Sequence, residues 1–277
     1  MGIPYAEVIG DPIAHSKSPI IHGFWLRKVG VEGDYRACRV TSDGLAGYFS
    51  RRSKDPDWRG CNITMPHKYA VLDHVHFHQD PTFPVEPANT AFRRDGSERI
   101  EGCNFDKNGF MEPLMPMHGG RGLRPRGPAV IVGAGGAAVA AAFMMPVMGY
   151  GPIWIVARDP AKAAKMADDF SGLGAFAASF RDPLPEARLL VNASPLGMRG
   201  FPPFPFSLDR MAADGIVYDM VYSPAETALL REARRRELQT VDGLAMLIGQ
   251  AALAFESFFR VRPPRAFDHE LREALLR

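Results

Sequence analysis

The sequence predicts a two-domain α/β protein, and three observations carry that expectation. The chain has 277 residues, more than one hydrophobic core usually serves. Short strand-like runs alternate with helix-like ones, the pattern of a mostly parallel sheet covered by helices. A composition shift follows Met111: Pro113 to Pro128 is rich in Gly, Pro and Arg, lacks periodicity, and reads as a linker or surface loop. A first domain is therefore expected over 1–112 and a second from 113 onward.

Composition limits the function classes. Hydrophobic residues make up 46% and charged residues 23% of the chain, with no apolar stretch of the ~18 residues that a membrane span needs. No export signal is read at the N-terminus, and a cytoplasmic location is expected. Lys and Arg total 33 against 31 Asp and Glu, a net charge of +2, too balanced for a general nucleic-acid or membrane-surface binder. Any phosphate site must be local. Cys38, Cys61 and Cys103 are an odd number without CxxC spacing, which argues for reduced thiols over a disulfide framework or a zinc site.

In chain order, Tyr5 to Ile9 is strand-like. After a loop, Ser18 as N-cap and Pro19 at the first helical position open a helix to about Val29, which Gly30 closes. Strands follow at Asp34 to Val40, Gly60 to Thr64 and around Thr90 to Arg93, with a helix from about Ser42 to Arg52 between the first two. Past the linker, Ala129 to Val132 is a short apolar strand that runs into Gly133-Ala134-Gly135-Gly136 and an alanine-rich helix to about Met148.

This is the start of a dinucleotide-binding unit. Glycines let the backbone turn tightly and approach a pyrophosphate, while the N–H groups of the helix N-terminus supply donors and a positive dipole. The spacing departs from strict GxGxxG, since its third position is Ala138, still small enough for close helix packing. A second strand, Pro152 to Ala157, ends at Arg158, about twenty-five residues after the first glycine, where the ribose-reading residue belongs. An arginine there favours a 2′-phosphate and hence NADP, with Lys162 and Lys165 adding charge on the following helix. The neighbouring Asp159 offers a carboxylate to a free ribose 2′-hydroxyl, so NAD stays open as the alternative. A surface cation at a strand end is the bland reading of Arg158.

Strands at Ala187 to Asn192 and Gly215 to Tyr218 complete a doubly wound unit, with loops Ala193 to Met198 and Asp219 to Ser223 at the ends where ligands bind. A helix over about Pro224 to Glu237 carries Arg234-Arg235-Arg236, read as a solvated face. The last long helix, about Leu244 to Phe259, places Leu244, Leu247, Ile248, Ala251, Ala252 and Phe255 on one core stripe. Met246 and Gln250, four apart, share a different face that either looks into a cleft or is simply exposed.

Four separated segments, Gly10-Asp11-Pro12-Ile13-Ala14-His15-Ser16-Lys17-Ser18-Pro19, Asn62-Ile63-Thr64-Met65-Pro66-His67-Lys68, Asn89-Thr90 and Gly102-Cys103-Asn104-Phe105-Asp106, resemble the shikimate dehydrogenase family. The first is similar to its serine-bearing substrate loop and the second to its lysine motif. Asn89-Thr90 resembles its asparagine-threonine pair, and Gly102-Cys103-Asn104-Phe105-Asp106 the segment that ends in its catalytic aspartate. Gly133 to Ala138, Asn192 to Met198, Asp219 to Tyr222 and Asp242 to Gln250 continue the match.

The resemblance implies an N-terminal α/β catalytic domain, a Rossmann-type NAD(P)-binding domain over 113–243, and a C-terminal segment, 244–277, that returns to the catalytic domain. It implies reversible, NADP-dependent interconversion of 3-dehydroshikimate and shikimate, within aromatic amino acid (chorismate) biosynthesis. Lys68 and Asp106 would hold the ring hydroxyl and relay its proton as hydride leaves, since an alcohol cannot lose hydride while keeping its proton. Ser16 and Ser18 would bind the substrate carboxylate, and Thr64, Asn89, Tyr222 and Gln250 would complete the substrate contacts. Gly133, Ala134, Gly135, Gly136, Ala137, Arg158, Asn192, Gly243 and Met246 would contact the cofactor. The expected partner is this small-molecule substrate, with no nucleic acid, membrane or metal, on a monomer or homodimer.

Departures from the family pattern stand beside these matches. Pro81, Pro84 and Pro87 interrupt a stretch that is usually helical in the family. Phe105 stands where a threonine is common, and Lys107 offers Asp106 a rival to Lys68. His74, His76 and His78 alternate but are read as solvated or loosely packed rather than as metal ligands; His67 either tunes Lys68 or points away. Two alternatives keep the fold: a quinate or other cyclic hydroxy-acid dehydrogenase, and a non-catalytic NADP-binding sensor.

Overall fold

The computed structural model describes residues 2–78, 86–94, 97, 99–119 and 126–277. These form two compact units, one from the described residues within Met1–Asp80, Val85–Phe105 and Gln250–Arg277, the other from those within Asp106–Gly249. In order, the first stretch of chain gives β1 (Tyr5–Gly10), α1 (Ser18–Val29), β2 (Asp34–Arg39), α2 (Leu45–Arg52), β3 (Trp58–Ile63), β4 (His76–Phe77), β5 (Thr90–Arg93) and β6 (Ile100–Cys103). Then come α3 (Asp106–Met111), β7 (Gly127–Val132), α4 (Gly136–Val147), β8 (Tyr150–Val156), α5 (Pro160–Asp169), β9 (Ala175–Ala178) and β10 (Ala187–Asn192). The chain ends with β11 (Met211–Asp219), α6 (Ala228–Arg235), β12 (Gln239–Asp242), α7 (Gly243–Phe259) and α8 (Asp268–Leu276).

The first unit is built on a six-stranded sheet in the order β2-β1-β3-β5-β6-β4. β1 is parallel to β2 and β3, whereas β5 runs antiparallel to both β3 and β6. β1 is buried along its length, and its alternate residues feed two cores. Tyr5 and Ile9 pack with Leu45, Tyr48 and Phe49 around α2, while Ala6 and Val8 pack with Tyr35 and with Ala254 and Phe258 of α7. Glu7, 1% exposed, sits between the apolar residues of β1 because its charge is matched. Arg52 donates to both its oxygens at 2.7 and 2.8 Å, and Tyr48 donates at 2.8 Å.

The second unit is an all-parallel sheet in the order β12-β11-β10-β7-β8-β9. Counted from β7 this is the doubly wound order 3-2-1-4-5-6, with its reversal between β7 and β10. Ala129 and Ile131 face a core that includes Ala138, Ala141 and Ala142 of α4. Val130 and Val132 face a second core that includes Leu229, Leu230 and Ala233 of α6. A sheet covered on both faces explains why its strands read as unbroken apolar runs.

Several expectations need correction. Lys17, not Ser18, is the N-cap of α1; Ser18 is its first residue, and the Ser18 N–H donates to Ser16 Oγ at 3.3 Å. The expected linker begins with 3-10 turns at Glu112–Leu114 and Pro116–His118, and Leu114 is fully buried; 120–125 lie outside the described residues. The second unit opens at Asp106 rather than 113, because Phe110 stacks on Tyr218 at 5.0 Å and packs, with Leu114, into the core under α4. Only residues from Gln250 onward, not from 244, belong to the first unit. Pro81 and Pro84 lie outside the described residues; Pro87 lies outside any helix or strand, shortly before β5. The sequence reading missed β4, β6, β9, β12, α3 and α8.

Candidate active site

In the first unit the candidate residues gather at one edge of the sheet. Ser16 and Ser18 follow the carboxyl end of β1, and Thr64 and Lys68 follow that of β3. Asn89 enters β5 at the same edge: its carbonyl accepts from Ile63 N–H and its N–H donates to Cys103 O, where β6 ends. Ser16 and Lys68 are half-buried and Ser18 is buried.

The loop that carries Lys68 is tied down by backbone and side chain. Thr64 N–H donates to Ile9 O, His67 N–H to Thr64 O, and Ala88 N–H to Lys68 O. His67 is buried, with Nε2 2.6 Å from Val40 O. A carbonyl only accepts, so Nε2 carries the proton and the ring anchors this loop to the end of β2. His74 stacks on Phe49, and only His76 of the three alternating histidines lies in a strand.

Asn89 is held by more than its backbone. Its Oδ1 accepts from Thr90 Oγ1 at 2.9 Å and from Phe105 N at 2.8 Å, and its Nδ2 donates to Gln250 Oε1 at 3.4 Å. Asn62 Nδ2 donates to Thr90 Oγ1 at 3.1 Å, and Tyr35 OH donates to Asn62 Oδ1 at 2.7 Å. Asn62, Thr90, Asn89 and Gln250 are all buried. The Tyr35 ring lies flat on His22, centroids 3.9 Å apart, and burial pushes its phenol well above the usual range while a Ser18 hydrogen bond opposes that shift. Sequence reasoning gave Tyr35, Asn62 and Thr90 no role; the available signal was Asn62, an amide between the apolar residues Cys61 and Ile63 of β3.

In the second unit the candidates lie at or beyond the carboxyl ends of five parallel strands: Gly133 after β7, Arg158 after β8, Asn192 at the end of β10, Tyr222 after β11 and Gly243 after β12. Gly133 has φ +127°, and a Cβ there would meet Ala193 O at 2.6 Å, so the loops after β7 and β10 touch where the strand order reverses. Gly135 is the N-cap of α4, with extended backbone and no side-chain cap. A Cβ on Gly135 would meet nothing within 4 Å, which leaves open space over the first-turn N–H groups of Gly136, Ala137 and Ala138. Uncapped donors under an open turn fit a pyrophosphate. Ala134 is half-buried in that turn, and Ala138, fully buried, packs as the third glycine of the pattern would.

Arg158 is exposed, and its side chain forms no hydrogen bond or ion pair with the described residues. Asp159 is committed elsewhere: as N-cap of α5 its Oδ1 accepts from Ala161 N at 3.0 Å and Lys162 N at 3.4 Å. Lys165 pairs with Asp169 at 2.8 Å. The arginine run of α6 is a solvated, ion-paired face, with Arg235 and Arg236 both on Glu232.

Asn192 is fully buried and its amide is occupied. It donates to Leu196 O and Asp219 Oδ1, both at 2.9 Å, and accepts from Ser194 Oγ at 2.7 Å. Asp219 also accepts from Val221 N at 3.1 Å and from Thr227 Oγ1 at 2.6 Å, and Thr227 caps α6 through Leu230 N. Burial pushes the Asp219 carboxyl up, against the lowering effect of these hydrogen bonds. Asn192 thus holds the loops that follow β10 and β11.

Asp106 is buried at the start of α3. The Lys107 ammonium lies 5.5 Å from the centroid of the Phe143 ring, on α4. Tyr222 is half-buried, and burial raises its phenol. Gly243 has no room for a side chain, since a Cβ would sit 2.3 Å from Met220 O. Met246 and Gln250 are 7% and 8% exposed, so the exposed reading of that face is wrong: no residue of α7 is exposed. Among the described residues no helix is long and apolar enough to cross a membrane.

A doubly wound parallel sheet with a glycine turn at its switch point, joined to a separate α/β unit, defines a two-domain dinucleotide-binding protein. Residues 8–91 match the family profile of the shikimate dehydrogenase substrate binding domain. A shikimate dehydrogenase (NADP(+)) of Sphingopyxis alaskensis is 50% identical over 274 residues, 99% of this chain and 97% of that protein. The crystal structure of shikimate 5-dehydrogenase from Thermus thermophilus in complex with NADP(H) and shikimate superposes with a TM-score of 0.82 at 34% identity, covering 99% of this chain and 100% of that one. Quinate dehydrogenase from Corynebacterium glutamicum in complex with NAD gives a TM-score of 0.86 at 26% identity, covering 98% and 99%. The chain belongs to the shikimate dehydrogenase family.

Proposed function

We propose that this chain oxidises shikimate to 3-dehydroshikimate, and runs the reverse reduction, with Lys68 and Asp106 handling the proton and NADP the hydride. The observation that carries the site assignment is the gathering of Ser16, Ser18, Thr64, Lys68 and Asn89 at one sheet edge of the first unit. The nicotinamide, when bound, accepts or returns the hydride.

The chain's own residues do the rest. Ser16 and Ser18 hydroxyls bind the ring carboxylate, with Tyr222, and fix which carbon is presented. Lys68 and Asp106 hydrogen-bond the reacting hydroxyl and take its proton as the C–H bond breaks, so the alcohol leaves as a ketone with charge balanced. Thr64, Asn89 and Gln250 receive the remaining hydroxyls, and an analogue lacking one leaves a buried amide unmatched. The turn from Gly133 to Ala137 receives the pyrophosphate on backbone N–H groups, with Gly243 and Met246 beside the nicotinamide. Asn192 acts on that site through the loops it holds.

Arg158 reads the 2′-phosphate. Asp159 spends its carboxylate on the α5 cap, which supports NADP over NAD. Presence of both Lys68 and Asp106 speaks against a sensor, which has no use for a proton relay. Three free cysteines fit a cytoplasmic location, and light scattering distinguishes monomer from homodimer.

Reduced-nicotinamide absorbance near 340 nm, with shikimate and then quinate, tests the reading. Turnover on shikimate with NADP supports it. Turnover on quinate alone moves the substrate to the variant reading, which Phe105 in place of a hydroxyl residue favours. Tight NADPH binding without turnover on either acid restores the sensor.

A further inference from the structure

The hydrogen bonds of the first unit around Asn89 have a polarity that one backbone group fixes. Phe105 N–H can only donate, so the Asn89 atom 2.8 Å away is oxygen, and the amide has one orientation. Thr90 Oγ1 faces that same oxygen at 2.9 Å and must donate to it. Its lone pairs are then what Asn62 meets, so the nearer end of Asn62 is the NH2. Asn62 presents its oxygen to Tyr35, whose hydroxyl must donate. On the other side the Asn89 NH2 faces Gln250, which therefore offers Oε1 inward and keeps its own NH2 for another direction.

Each link is set by the one before it, and reversing one would oppose two acceptors or two donors in a buried site. Both ends are mechanically held. The Phe105 ring packs on the cluster that contains Ile13, Tyr35 and Phe258, which fixes the aim of its N–H. At the far end the Tyr35 ring is stacked on His22, which Trp25, Phe255 and Phe258 surround.

We propose that Thr90 and Tyr35 are positioning residues that lock Asn89 and Gln250 in the orientation that offers N–H donors to the substrate's oxygens. The site thereby selects ligands that present acceptors at those two positions. A ligand group that can only donate finds no acceptor there, whereas a hydroxyl can accept through its oxygen and turn its hydrogen elsewhere; a flipped amide that supplied an acceptor would break the chain of bonds back to Tyr35. The proposal rests on the substrate reading given above and deepens it. It assigns the discrimination to two residues that need not touch the substrate.

Thr90→Val keeps the shape and removes both the donor to Asn89 and the acceptor for Asn62; Thr90→Ser restores both. The expected result for Thr90→Val is a KM for shikimate raised about tenfold or more, with kcat within about threefold and the NADPH Kd unchanged. Thr90→Ser should stay within about twofold of wild type. Tyr35→Phe should raise KM in the same direction by a smaller factor. Hydrogen exchange of the Asn62 and Asn89 side-chain amides, followed by NMR on the full chain, reads the lock without turnover. Exchange should accelerate in Thr90→Val and not in Thr90→Ser. A Thr90→Val enzyme with a lower melting temperature but unchanged KM and unchanged amide exchange overturns the proposal. If the wild type fails to turn over shikimate, the substrate reading has failed, and the amide exchange of the two variants still decides the lock.

Discussion

Removing Arg158 tests how the cofactor is chosen. The guanidinium stands exposed at the carboxyl end of β8, directly before the residue that caps α5. Unit charges about 4 Å apart are worth ~1 kcal/mol in water and ~4 kcal/mol at an effective dielectric of 20. The 2′-phosphate carries between one and two negative charges, and exposure keeps the value toward the wetter limit. Arg158→Ala should therefore cost NADPH about 1.5–3 kcal/mol, a ~10- to 150-fold rise in its Kd or KM. NADH has no such phosphate and should change by less than about threefold. The two cofactors are titrated against wild type and variant at low ionic strength, and again in about 0.5 M salt, where screening should shrink the difference. Asp159→Asn is the companion variant, because asparagine caps a helix about as well as aspartate and carries no charge. It should leave the NADPH to NADH ratio within about twofold, since the native carboxylate is already spent on Ala161 and Lys162 N–H groups. Equal losses of NADPH and NADH in Arg158→Ala, or a selective loss of NADH in Asp159→Asn, would refute the division of labour between these two neighbours.

Three further outcomes are expected. Lys68→Ala should lower kcat/KM for shikimate at least about a hundredfold, about 2.7 kcal/mol of barrier, while NADPH still quenches or enhances fluorescence with its wild-type Kd; retained turnover would remove Lys68 from the proton path. Thr227→Val takes one donor from buried Asp219 and the cap from α6, so chemical denaturation should show a loss of about 2–3 kcal/mol that Thr227→Ser restores. His22 is held neutral by burial, its pKa lowered to about 3 against 6.5 in the unfolded chain. The unfolded state takes up that proton first, so the stability held above about pH 6.5 is lost as pH falls, by roughly 2–3 kcal/mol at pH 4.5. His22→Phe should flatten that part of the stability profile, and an unchanged slope would show that other groups carry it.

What the sequence revealed and what it hid divide along physical lines. The glycine turn after β7 and Arg158 after β8 were legible as strand-end positions because each follows a short apolar run, while the roles of Lys68 and Asp106 are expectations drawn from local motifs. Asp159 kept NAD open in sequence because its carboxylate could accept from a ribose hydroxyl, and its use as the α5 cap shows only in the backbone geometry of the turn. Met246 and Gln250 were left between a cleft-facing and an exposed reading because helical periodicity separates faces only when one face is wet, and α7 has no exposed residue. The short strands β4, β9 and β12 carry too few residues for alternation to register. The Tyr35-Asn62-Thr90-Asn89 chain was invisible because it joins three separate segments, β2, β3 and the start of β5, that only the sheet brings together.

The Asn192, Asp219 and Thr227 side chains sew together the loops that follow β10 and β11, the first of which touches the glycine turn, and every bond in that stitching is made between the chain's own groups. Ordering these loops is thus an expense of folding, already settled before a cofactor arrives. Binding to such a rim should resemble a key entering a cut lock, with fast association, a small entropy loss and little change in loop mobility on saturation. Loosening the stitches would shift that ordering onto the binding step, and the affinity would fall although every atom that touches the cofactor remained in place.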